Sequence, residues 1–189
     1  MAGAEIGRRL VHVGGGFPVA LYFLDWLSWG EVRWLYLVGL GLAVVLEAAR
    51  LLVGVDWRVY EELTRDYEAD NPAGYALYVV GAALVAFAFV PRIAIPAILM
   101  LAIVDPVSGL LADANRRPVK RPSVLAVTFA LAGAIALWFL PLHAAVAGGA
   151  LATVADGATP VVRGYVIDDN LGIPIGAGLA MWVALQLPF

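Results

Sequence analysis

Residues 93–112 read IAIPAILMLAIVDPVSGLLA. Apart from Asp105 the run carries no charge, and about 20 mostly apolar residues are what an α-helix needs to cross the hydrocarbon of a bilayer. A carboxylate inside such a run is costly unless it is paired or has a function. The same stretch therefore raises both the question of fold and the question of chemistry.

Working outward, charge and proline punctuation cut the rest of the chain into six further apolar runs, at about 10–28, 33–54, 74–91, 123–141, 143–159 and 170–188. The composition agrees: of 189 residues, 62% are apolar and 14% charged, and the mean hydropathy is +0.87. These values lie outside the usual range of soluble domains. They predict an all-α polytopic membrane protein of about seven transmembrane helices, one domain over residues 1–189, with no room for a soluble catalytic domain. Cysteine is absent, which excludes disulfides, thiolate metal sites and a cysteine nucleophile. Residues Met1 to Arg9 lack the pattern of a removable signal peptide, and no nucleic-acid partner is expected.

Two runs contain breaks. Gly14-Gly15-Gly16-Phe17-Pro18 interrupts the first, and Asp105-Pro106 is expected to open the fourth locally and free backbone carbonyls. The sixth, rich in alanine and glycine, is expected to pack among other helices. Between the second and third lies an acidic segment at about 55–73. Its Trp57, Tyr60, Leu63 and Tyr67 recur at helical spacing and predict a short interfacial amphipathic helix. A basic loop follows the fourth run at about 113–122.

Seven spans place ten of the twelve basic residues on or near the side of the N-terminus; Arg33 and Arg92 fall on the other. By the excess of positive charge on cytoplasmic loops, the N-terminus is cytoplasmic and the C-terminus outside, in the cell membrane. Trp26, Trp29, Trp34, Trp138 and Trp182 gather near the outer interface, as an aromatic belt does.

Asp105 is the sharpest candidate for chemistry. It lies eight residues before Asp113, a depth of about 12 Å along a continuous helix; an ion pair with an arginine of a neighbouring helix is the alternative. Asp156 sits near the end of the sixth run, and Asp168-Asp169-Asn170 opens the seventh, where Asp169 can also serve as an ordinary helix cap. These carboxylates come to the face that bears Arg116, Arg117, Lys120 and Arg121. Acids beside bases suit a magnesium–nucleotide site, with carboxylates on the hard cation and bases on the phosphates. The basic loop by itself reads equally well as a topology signal or a contact with anionic lipid. At the N-terminus, Glu5, Arg8, Arg9 and His12 share one helical face. Glu47 and Arg50 are spaced to pair within the second run, and His143 reads as structural.

Taken together, the motifs resemble those of the CTP-dependent polyprenol kinase family, which includes dolichol kinase, phytol kinase and the yeast-type diacylglycerol kinase. E-x-x-R-R-x-x-H-x-x-x-G at Glu5 to Gly16 looks like its N-terminal signature. Asp105-Pro-Val-Ser108 with the basic stretch to Lys120 is similar to its nucleotide-binding segment. Thr153-Val-Ala-Asp156-Gly157 resembles its acidic motif, and Asp169-Asn170-Leu-Gly-Ile-Pro174 its D-N-L-x-x-P block. The composition, with eleven arginines to one lysine, suits an archaeal dolichol-kinase-like member. Two features depart from the pattern: Lys120-Arg121-Pro122-Ser123-Val124 lacks the family's Glu-Gly, and Asp156 stands where glutamate is commoner.

The resemblance implies transfer of the γ-phosphate of CTP to the hydroxyl of a polyprenol or related lipid alcohol. It assigns Asp105, Asp156 and Asp169 to catalysis and to Mg²⁺, and Arg8, Arg9, His12, Ser108, Lys120 and Asn170 to the nucleotide. Two alternatives stand beside it. A CDP-lipid synthase also uses CTP and a lipid, but its C-terminal S-x-x-K-R-x-x-K-D signature is absent. A small ion-coupled transporter would explain intramembrane acids, yet no inverted repeat is evident.

Overall fold

A computed structural model describes residues 11–65, 68–112, 119–158, 161–162, 165–166 and 168–188. A helical turn at 11–15 ends at Gly16, and Pro18 restarts the chain as α1 (Phe17–Phe23), so the glycine-rich interruption is realised as a break. Next comes α2 (Trp29–Ala48), extended by a π-helical turn at Ala49–Val53. Its start, four residues before the charge-based boundary, is set by a capping box in which Ser28 Oγ accepts from the Glu31 amide and Glu31 Oε2 accepts from the Ser28 amide.

After a short α3 (Arg58–Leu63), the bundle continues with α4 (Gly74–Ala88) and α5 (Pro91–Leu99). A π-helical turn at Met100–Val104 leads from α5 directly into α6 (Asp105–Leu111). Then follow α7 (Pro122–Leu137), α8 (Leu142–Gly157), two-residue antiparallel strands β1 (Val161–Val162) and β2 (Tyr165–Val166), and α9 (Asp169–Ala184).

Each apolar run is thus largely helical. Among the described residues, two helices are long and apolar enough to cross a membrane, Trp29–Val53 and Pro91–Leu111. At 1.5 Å per residue the second measures about 31 Å, the thickness of a hydrocarbon core. The 16-residue helices α7, α8 and α9 measure about 24 Å.

Two expectations change. The amphipathic helix is confined to Arg58–Leu63 because Thr64 leaves helical geometry and turns its hydroxyl back to the Tyr60 carbonyl; Tyr67 lies outside the described residues. Nor does Asp105-Pro106 unwind the fourth run. Pro106 has no amide to offer the carbonyl one turn back, and the wide π turn absorbs that mismatch while the helix goes on.

In the core, α9 packs on α8 and α4, α8 on α7, and α4 on α2. The small residues of α8 permit this: Gly148 faces Met181, and Gly149 faces the backbone of Gly133. Outward faces are apolar too. Val38 and Val45 of α2, Leu84 of α4, Trp138 beside α7, Val154 of α8 and Val183 of α9 are all exposed.

Candidate functional site

Three separate helices bring one carboxylate each to a common point. Asp105 opens α6 behind the π turn, Asp156 sits in the last turn of α8, and Asp169 is the first residue of α9. One oxygen of each lies within 4.8 Å of the others. At that spacing two like charges repel by on the order of 3 kcal/mol at an effective dielectric of 20, so the cluster needs positive charge.

Part of that charge comes from Lys120. Its amide donates to the Gly157 carbonyl (3.1 Å) and Val119 bridges Ala158, which pins the residue beside the end of α8. Lys120 Nζ donates to Asp156 Oδ1 (2.7 Å) and to Ser108 Oγ (2.8 Å). The Ser108 hydroxyl donates to Asp156 Oδ2 (2.5 Å), and Thr128 Oγ1 donates to the same oxygen (3.3 Å). Asp156 is 1% exposed, so these donors replace the water it lacks. Across the site, His12 Nδ1 donates to Asp105 Oδ2 at 2.9 Å. Among the described residues, Asp105 is therefore held by a histidine.

The opening of α9 settles the role of its two aspartates. Asp168 is the cap: its Oδ1 accepts from the Asn170 amide (3.0 Å) and from the Asn170 side chain. Asp169 is free of capping duty and faces the other acids. Asn170 is 1% exposed, and its Oδ1 has no hydrogen-bond partner among the described residues. The close approach of α4 and α9 here requires Gly81, where a Cβ would fall 2.5 Å from the Asn170 carbonyl oxygen.

The structure thus gathers Asp105, Asp156, Asp169, Ser108, Lys120 and His12, with Asn170 adjoining. Arg8 and Arg9, and with them Arg116, Arg117 and Arg163, lie outside the described residues. Ser108, Lys120 and His12 are each bonded to a carboxylate of the cluster.

Sequence reasoning passed over three nearby residues. Thr128 gives no signal in an apolar run. Glu68 was one acid among several in its loop, yet it is 3% exposed, accepts from the Arg65 amide, and lines a small cavity with His12, Arg65, Tyr75 and Asn170. Burial pushes its carboxyl above the usual range. Tyr78 of α4 packs its ring 5.1 Å from that of His12.

Asp105, Asp156 and Asp169, hard oxygen donors from three independent elements, could together hold a cation of the Mg²⁺ type, with the buried and unpartnered Asn170 side-chain oxygen next to Asp169. Compared with models of protein families, with curated proteins and with solved structures, the chain matches none.

Proposed function

We propose that this chain is a seven-span membrane kinase of the CTP-dependent polyprenol kinase type, with its site at the cytoplasmic face and its C-terminus outside. It transfers the γ-phosphate of a nucleoside triphosphate, CTP by the motif resemblance, to the hydroxyl of a polyprenol or related isoprenoid alcohol. The observation that carries this reading is the convergence of Asp105, Asp156 and Asp169, from three helices, with Lys120 and Ser108 bonded to Asp156. The exposed apolar faces support a lipid environment, since monomeric soluble proteins rarely expose large contiguous apolar patches. In a seven-span arrangement the ends of α8 and the starts of α4 and α9 share the side of the N-terminus.

Phosphoryl transfer needs positioning and neutralised charge more than covalent help from the protein. The alcohol oxygen bonds to the γ-phosphorus, the bond from that phosphorus to the β–γ bridging oxygen breaks, and nucleoside diphosphate leaves with the bridging oxygen. The alcohol proton passes to Asp105, which His12 orients through Nδ1. Lys120, anchored through its backbone at Gly157, offers a point charge for a phosphate without leaving Asp156. Asp105, Asp156 and Asp169 would hold Mg²⁺, which when bound would supply the remaining charge neutralisation for the triphosphate. An interfacial site suits both substrates, because the alcohol arrives in the bilayer and the nucleotide in water.

The test is purified protein with Mg²⁺, radiolabelled CTP or ATP, and dolichol, geranylgeraniol or an isoprenoid glycerol ether. A phosphorylated lipid is expected from at least one alcohol, and Asp105→Asn should abolish it. The absence of product from every alcohol with either nucleotide would end the proposal. The cysteine-free chain also allows the topology to be read directly. Ser28→Cys should react with an impermeant maleimide in intact cells and Ser123→Cys only after lysis; the reverse pattern refutes the orientation.

A further inference from the structure

Among the described residues, three buried side-chain polar atoms have no hydrogen-bond partner: Trp29 Nε1, Asn170 Oδ1 and the Tyr78 hydroxyl. Such groups are rare in folded proteins, and each calls for a reason. Asn170 adjoins the acids. Tyr78 packs its ring 5.1 Å from that of His12, which holds Asp105.

Its ring is 1% exposed and enters a notch that exists because residue 15 is glycine: a Cβ there would lie 2.1 Å from Tyr78 Cε1 and 2.7 Å from its hydroxyl. The hydroxyl end therefore rests against the glycine-rich break. The nearby Gly15 carbonyl is already taken by the Tyr36 hydroxyl at 2.9 Å. On the other side of the same break, Gly16 lies against Ala102 of the π turn that delivers Asp105. The phenol thus sits in a seam between the first helical segment, α4 and the π turn, next to the imidazole that holds Asp105.

A lipid alcohol brings one polar atom on a long apolar chain. Drawing that hydroxyl out of the interface into a buried site is unfavourable unless it finds a hydrogen bond there. We propose that the Tyr78 hydroxyl is the alcohol-positioning group: its O–H donates to the oxygen of the lipid hydroxyl, which presents its own proton to Asp105. This rests on the lipid-kinase reading above and adds a residue that the family motifs do not contain. The glycine break then serves a purpose beyond bending the chain, since it lets a full phenol ring stand where a larger residue at position 15 would exclude it.

Tyr78→Phe tests the idea, because it keeps the ring in its notch and removes the oxygen alone. The expected result is a fall of at least about tenfold in kcat/KM for geranylgeraniol, in line with loss of one hydrogen bond to a reacting group. The KM for CTP and the melting temperature should not worsen. Tyr36→Phe is the comparison, expected to lower the melting temperature and leave kcat/KM for the alcohol in place. A Tyr78→Phe enzyme with unaltered kcat/KM for the alcohol, or with an equal loss towards CTP, overturns the proposal. If wild-type protein transfers no phosphate, the kinase reading falls separately. Binding of tritiated geranylgeraniol in nucleotide-free micelles then decides: weaker binding by Tyr78→Phe supports the positioning role, and equal binding refutes it.

Discussion

Glu47 and Asp105 are carboxylates in apolar helices, and their surroundings differ in completeness. Glu47 takes two bonds from Arg50, 2.7 and 3.1 Å, one from the Ala73 amide at 3.0 Å, and one from the Tyr75 hydroxyl. Arg50 in turn donates to the carbonyls of Glu68, Ala69 and Asn71. These donors and acceptors answer one another, and the product is a clamp that ties the 68–73 loop to the end of α2. Around Asp105 the accounts do not close: two further acids crowd it, and Asn170 Oδ1 and the Tyr78 hydroxyl lack partners among the described residues. A satisfied buried network holds structure together, whereas a cluster with surplus charge and unused polar atoms leaves donors and acceptors over.

The contrast can be broken by substitution. The largest effect is expected at the incomplete cluster. Asp105→Asn and Asp169→Asn should each lower phosphoryl transfer by about 10²–10⁴-fold, as loss of a positioned catalytic group does, while the melting temperature of Asp169→Asn holds or rises because like charges are relieved. A fall in melting temperature with activity retained would exchange the roles of the two clusters.

Next in size is Glu47→Gln. Leaving the buried Arg50 charge without its counterpart should destabilise the fold by about 3 kcal/mol, read as a lower melting temperature in detergent, with turnover of the folded fraction preserved. The smallest effect falls on Glu68, between the two. Its folded-state carboxyl titrates above the ordinary 4.5 because it is buried. The group's stabilising contribution is therefore present below about pH 4.5 and lost as pH rises through the higher folded-state value. Glu68→Gln should flatten the dependence of melting temperature on pH in that window; an unchanged slope would place the carboxyl in water.

Much of this was legible in the sequence, for identifiable reasons. The apolar runs are long and sharply punctuated, so helices fall where they were expected. Glu47 and Arg50 sit three apart, and the pairing that spacing favours is the one observed. The early start of α2 was also readable, because Ser28 and Glu31 form a capping box, but the charges at Glu31 and Arg33 drew the boundary inward. The π turn was not readable, since five apolar residues from Met100 to Val104 look the same in either helix. Of the candidate site, the aspartates stood out because charge is expensive in an apolar run. Which of Asp168 and Asp169 caps α9 depends on one backbone angle at Asp168, and no pattern of residue types reveals it. Thr128 and Tyr78 reach the site through packing between helices distant in sequence, a relation that no single run contains.

On the proposed reading, Asp105, Asp156 and Asp169 serve phosphoryl transfer to a lipid. One measurement addresses it most directly: single-turnover reaction of the purified protein with Mg²⁺ and geranylgeraniol, run in parallel with CTP labelled in the γ- or the α-phosphate. The account predicts that γ-label moves into the lipid phase as a monophosphate, that α-label stays in water as CDP, and that Asp105→Asn stops both changes. Transfer of α-label to lipid with release of pyrophosphate, or no lipid label from either labelled CTP, would contradict it.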